Sequence, residues 1–182
     1  MKKLNYREIF IIVMTIIALL AISFLIINNK TVGSKKDFLY LETKKSNLKI
    51  NNSQTVSDKI GIDKKSGSGY ANFIIKADKL KNDEIEYEIY VKQINSVNSI
   101  NKKYVKLYLT EKSMNRGLID KPKTFDSLKV AKTDMNARQI YSGKIKKKEK
   151  INLELKMWLA DTYTITNEKK NFEIIYGINV IK

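Results

Sequence analysis

The chain has 182 residues, with 35 Lys and Arg against 19 Asp and Glu, a formal net charge of +16, and neither Cys nor His. Without histidine there is no Ser-His-Asp or Cys-His catalysis, no histidine metal site and no imidazole base; without cysteine there are no disulfides, so stability rests on burial and backbone hydrogen bonds. Only Arg7, Arg116 and Arg138 are arginine, and the other 32 basic residues are lysine, which lacks the guanidinium fork suited to phosphate. The charge therefore fits solubility, an AT-rich coding bias or an anionic surface better than nucleic acid.

Residues 1–8 form a short basic tail with Lys2, Lys3 and Arg7, and Ile9 to Ile27 is an uncharged run of 19 residues broken only by Thr15 and Ser23. As a helix this run covers roughly 28 Å, close to the hydrocarbon thickness of a bilayer. It is longer than the apolar core of a secretory signal. Its exit, Phe24-Leu25-Ile26-Ile27-Asn28-Asn29-Lys30, lacks the small-x-small pair that a processing enzyme needs. No Cys stands near the exit to accept a lipid. The expectation is an uncleaved single-pass signal anchor over residues 9–27. Lysines flank both ends, so the domain is placed outside the membrane on architecture more than on the positive-inside rule. Residues 28–37 read as a polar tether, and residues 38–182 as one extracytoplasmic domain.

In that domain, Phe38 to Leu41 reads as a first short strand, and Gly67-Ser68-Gly69 as a turn after Lys64-Lys65-Ser66. Period-two alternation then dominates. Ala71, Phe73, Ile75 and Ala77 share one face. Ile85, Tyr87, Ile89 and Val91 oppose Glu84, Glu86, Glu88, Tyr90 and Lys92. After the polar stretch Gln93 to Asn101, Val105, Leu107 and Leu109 alternate with Tyr104, Lys106 and Tyr108. These last two runs are expected to pair, with Lys102 and Lys106 neutralising the glutamates across the strands.

Glu111 to Asp134 is irregular and holds the single proline, Pro122, with one strand expected around Leu128 to Val130. Ile140 to Ile145 is extended, with a bulge expected at Ser142-Gly143. Lys150 to Leu159 is the clearest strand, placing Ile151, Leu153, Leu155, Met157 and Leu159 inward and Asn152, Glu154, Lys156 and Trp158 outward. A last strand runs from Phe172 to Ile181, with Ile175 and Ile181 suggesting cover on its second face. No convincing amphipathic helix is found beyond the anchor. About eight short strands joined by polar loops predict an all-β, antiparallel two-sheet sandwich, immunoglobulin-like or jelly-roll-like, preceded by one N-terminal transmembrane helix.

Two surface groups are candidate sites. Lys144, Lys146, Lys147, Lys148 and Lys150 gather around an expected turn and would meet anionic lipid or wall polymer, with a solvated turn as the plainer alternative. Tyr90, Tyr104, Tyr108 and Trp158 fall on outward faces, where aromatics either bind a sugar or protein partner or pack across strands. Ser113-Met114 is similar to the nucleophile pair of type I signal peptidases, but it lies mid-chain, lacks the following proline and has no Arg-Gly-Asp-type box after it. Ser113 is read as a loop hydroxyl. No metal-ligand spacing, phosphate loop or cofactor motif is present.

The apolar anchor, the cysteine-free strands, the segment Leu153-Glu154-Leu155-Lys156-Met157-Trp158-Leu159 and the Phe172-led strand after it resemble small surface proteins of Gram-positive bacteria. More distantly, this layout is similar to the TasA and camelysin type of fibre subunit. The resemblance implies a cell-surface sandwich without catalytic residues. The expected function is a non-enzymatic, membrane-tethered structural or interaction protein that takes no cofactor. Two alternatives stand beside it: a released fibre subunit that exchanges strands, and an accessory subunit of a membrane complex or a hydrolase.

Overall fold

In a computed structural model of the chain, the described residues are 38–63, 68–94, 98–114 and 116–181. The expected anchor and tether lie outside them. Among the described residues no helix is long and apolar enough to cross a membrane.

Eleven strands form among the described residues where about eight are expected, because the irregular stretch after Glu111 contributes three two-residue strands. They are β1 (Phe38–Thr43), β2 (Asn47–Asn51), β3 (Ser68–Lys79), β4 (Glu84–Ile94), β5 (Val105–Glu111), β6 (Arg116–Gly117), β7 (Lys123–Thr124), β8 (Lys129–Val130), β9 (Arg138–Lys146), β10 (Lys150–Leu159) and β11 (Asn171–Val180). One sheet has the order β1-β3-β10-β5-β6, with β7 also on β5; the other has the order β2-β11-β4-β9-β8. All pairings between these strands are antiparallel. The two sheets face each other as a sandwich.

The alternation sets the inner faces as expected. Ala71, Phe73, Ile75 and Ala77 of β3 are buried, as are Val105, Leu107 and Leu109 of β5, against Ile85, Tyr87, Ile89 and Val91 of β4 and Phe172 and Ile174 of β11. Gly143 sits opposite Tyr87 in the β4–β9 register, and a Cβ there would lie 2.8 Å from the Tyr141 ring. Two neighbouring rings, Tyr87 and Tyr141, fill that space. Burial pushes the Tyr87 hydroxyl well above its usual pKa.

The pairings are where expectation fails. Strands β4 and β5 lie in opposite sheets and do not pair. Lys106 reaches Asp58 at 2.7 Å, and Glu84 pairs with Lys144 at 3.2 Å. Glu88, expected on a solvated face, is fully buried. Its carboxylate accepts from Lys132 N at 3.0 Å, Thr133 N at 3.2 Å, Thr133 Oγ1 at 2.7 Å and Asn179 Nδ2 at 3.2 Å. With the Lys92–Asp134 ion pair at 2.9 Å, it ties the loop after β8 onto β4. The expected bulge also moves: pairing runs from Ile89↔Tyr141 to Tyr90↔Gln139, so the extra residue is Ile140, not Ser142-Gly143. Ser68 and Gly69 begin β3, paired with Trp158 and Met157, rather than forming a turn; Gly67 lies outside the described residues. Ile175 remains 37% exposed, so the second face of β11 is open there.

Strand β10 is central in its sheet and, from Leu153 to Leu159, buried on both faces. Its outer face is covered by the chain between β2 and β3, where a short helix that the sequence did not signal, α1 (Asp58–Ile62), passes over Trp158. Gly61 allows the contact: a Cβ there would stand 2.3 Å from the Trp158 ring. Trp158 is fully buried, and its indole N–H has no acceptor, so packing alone rewards its burial. Lys156 pairs with Glu154 at 3.2 Å and donates to Ile62 O at 2.6 Å, which fixes the end of α1. Val56 N donates to Leu159 O at 3.0 Å, holding the chain before it.

Glu88 combines two opposing effects: burial pushes its pKa up, and the four donors more than offset this, leaving it below the ordinary carboxylate value. A lowered folded-state pKa gives stability above the unfolded value of about 4.3, lost as pH falls through the folded value. Glu88→Ala is expected to cost about 2–4 kcal/mol by stranding buried donors. In denaturant melts followed by circular dichroism, the gap between wild type and Glu88→Gln is expected to narrow between about pH 7 and about pH 3. Gly61→Ala should destabilise by about 1–3 kcal/mol through overpacking on Trp158, read in the same melts.

Candidate functional site

The five candidate lysines do converge. Strand β9 ends at Lys146, β10 starts at Lys150, and the turn between them carries the chain from one sheet to the other. Glu149 closes the turn, its N–H donating to Lys146 O at 3.0 Å and its carboxylate accepting from Lys146 N at 2.7 Å. Lys147 N donates to Asp83 O at 2.8 Å, Lys148 N to Ala77 O at 3.1 Å, and Ala77 N to Glu149 O at 3.0 Å. The turn is thus fastened to the end of β3 and to the β3–β4 connection. Lys148 has φ 67, a left-handed backbone that normally calls for Gly or Asn.

All five lysine side chains are exposed. Lys144 is partly neutralised by Glu84. Lys150 lies close enough to Glu42 for its charge to help lower that carboxylate's pKa, behind the larger effects of the Lys76 hydrogen bond and charge. Lys146, Lys147 and Lys148 form no ion pair with a side chain among the described residues.

The structure adds three residues to this end. β1 begins with Phe38 paired to Lys79, two positions along β3 from the Ala77 that holds the turn. Phe38 is 57% exposed and Tyr40 41%, and Lys79 Nζ stands 5.1 Å from the Tyr40 ring centroid. Basic and aromatic side chains therefore share the end at which the chain enters the sandwich. The sequence carries no local sign of this, because Phe38 and the lysine turn are brought to the same end only through β3.

The four aromatics do not form one face. Tyr90 lies in the sheet opposite Tyr108 and Trp158, its ring over Gly177, where a Cβ would stand 2.5 Å from its hydroxyl. Tyr108 covers Gly117 on β6, and Tyr104 meets Tyr163 edge-on at 5.3 Å. Trp158 is buried under α1 and presents nothing to solvent. Cross-strand and under-loop packing accounts for all four.

Ser113 Oγ donates to Glu111 Oε1 at 3.0 Å in the turn after β5, where Arg116 also approaches Glu111. Among the described residues no group of three or more Asp or Glu is arranged to hold a metal ion. Comparison with protein-family models and with curated proteins gave no match.

The left-handed backbone at Lys148 costs roughly 1 kcal/mol for a residue with a Cβ. Lys148→Gly is therefore expected to raise stability by a few tenths to about 1 kcal/mol despite losing a side chain, measured as a shift in denaturation midpoint.

Proposed function

We propose that this chain is a non-enzymatic, single-pass membrane-tethered protein whose immunoglobulin-like or jelly-roll-like sandwich stands outside the cell membrane in a structural or interaction role. Its basic end, with Lys79, Lys144, Lys146, Lys147, Lys148 and Lys150, faces the anionic head groups. The observation that carries this reading is the entry point. The first described strand begins at Phe38, at the end of β3 to which the lysine turn is also fastened, with ten residues between it and the last residue of the apolar run, Ile27. Ten residues reach at most about 36 Å, which in this reading bounds how far the Phe38 end can stand from the bilayer. Each lysine near an anionic surface contributes about 1 kcal/mol, and exposed Phe38 and Tyr40 suit the interface between head groups and acyl chains.

Because the chain has no cysteine, a single one placed at the 85%-exposed Met135 reports sidedness cleanly. Met135→Cys is expected to react with a membrane-impermeant maleimide in intact cells and to sediment with membranes. Labelling only after lysis would place the domain in the cytoplasm, and mature protein in the medium starting after residue 27 would favour a released fibre subunit. For the basic end, the full chain in nanodiscs should show slower amide exchange over residues 144–150 with anionic than with zwitterionic lipid. That difference should vanish when Lys146, Lys147 and Lys148 are all changed to Gln. Equal exchange in both lipids refutes the head-group contact.

A further inference from the structure

On the outer face of the first sheet, a groove of about 510 Å³ runs between the β1–β2 turn and the end of β5, with Asn152 in its wall two residues along β10 from Lys150. At about 3.3 Å per residue, Phe73 in its wall lies roughly 20 Å along β3 from Lys79 at the basic end. The groove's volume is in the range of small-ligand sites, about 300–1,000 Å³.

Its lining is mixed in a specific way. Asn72 and Asn152 supply exposed side-chain amides on adjacent strands, with half-buried Ile74 between them. Tyr70 offers a ring that is 43% exposed. Lys44 and Lys45 stand on one rim and Lys112 on another. The acid in the lining, Glu42, is engaged by Lys76, whose hydrogen bond and charge hold the carboxylate below its usual pKa. The free charge facing the groove is therefore positive.

The rim is also built in advance. Tyr176 crosses from the opposite sheet, packs its ring 5.1 Å from Phe73 and donates its hydroxyl to Lys45 O. The same hydroxyl lies 2.7 Å from Thr43 Oγ1, which accepts from Lys45 N at 3.1 Å. The turn that carries Lys44 and Lys45 is thus fixed from beneath by a buried aromatic, and Lys45 Nζ is held 5.7 Å from the Tyr70 ring centroid. Little ordering remains to be done when a ligand arrives.

We propose that this groove binds an acidic oligosaccharide. Sugar C–H faces stack on Tyr70, hydroxyls meet the amides of Asn72 and Asn152, and carboxylates or other anionic substituents meet Lys44, Lys45 and Lys112. A neutral sugar leaves the three lysines unanswered, and a bare polyanion leaves the ring and amides unused. This assignment does not depend on membrane attachment.

The test uses the full chain in a non-sugar detergent, titrated calorimetrically with an oligogalacturonate hexamer, a neutral maltohexaose and inorganic polyphosphate. The acidic hexamer should bind, with Tyr70→Ala and Lys112→Gln each weakening it about tenfold and melts confirming that both variants remain folded. Changing Lys146, Lys147 and Lys148 to Gln should leave that affinity unchanged. Failure of the acidic hexamer to bind, equal binding of polyphosphate with no dependence on Tyr70, or loss of binding on changing Lys146, Lys147 and Lys148 would each overturn the assignment.

Discussion

From Leu153 to Leu159, strand β10 has no free face, and most of the molecule is arranged by that fact. Its inner side chains, Leu153, Leu155, Met157 and Leu159, enter the core between the sheets, while its edges are taken by β3 and β5. Its outer side chains still need cover: full burial of a large apolar side chain such as Trp158 is worth about 1.5–3 kcal/mol. The chain leaving β2 supplies that cover by crossing over β10 before it enters β3. α1 exists because of this crossing, its glycine against the indole and its last carbonyl on Lys156. A buried Glu154–Lys156 pair is poor evidence of net stability in itself. Here it also carries a backbone contact that defines where the crossing ends.

The second sheet solves an analogous problem with a charge. β4 is central there, and its outer face carries Glu88, which replaces water with two backbone amides, a hydroxyl and a carboxamide. A loop containing exposed Met135 is thereby given a fixed seat. Each sheet is thus closed on its outside by an irregular segment, in one case through packing and in the other through hydrogen bonds. Among the places left open are the basic end and the groove on the first sheet. These openings have different chemistry: lysine and exposed aromatics on a turn at one, a shaped recess with amides, a ring and lysines at the other. The β3 strand connects them, so a ligand in the groove and a surface at the basic end would bear on one rigid element.

The strand faces were legible in the sequence because side chains alternate with period two along any strand, whatever its neighbours. Ala71 to Ala77, Ile85 to Val91 and Ile151 to Leu159 all point as their alternation requires. The pairings were not legible. Nearly every main connection passes from one sheet to the other, so adjacent runs such as β4 and β5 face each other across the core rather than bonding edge to edge. The same crossings bury Glu88 and Trp158, which alternation alone assigns to solvent. The lysine turn was readable because its members are close in sequence; the four aromatics shared only an outward parity, which the two sheets then divided.

By itself, the sequence determined the β class, the inward set of each long strand and the exclusion of histidine and cysteine chemistry, since these depend only on composition and local periodicity. Tertiary structure decided which strands bond, which outward residues are covered and which distant residues share a surface. Phe38 at the same end of β3 as the lysine turn, and Tyr70 in one groove with Lys45 and Lys112, are products of chain crossings whose outcome depends on the whole core closing at once. No local window contains that information, because each of those contacts is stabilised by residues far along the chain.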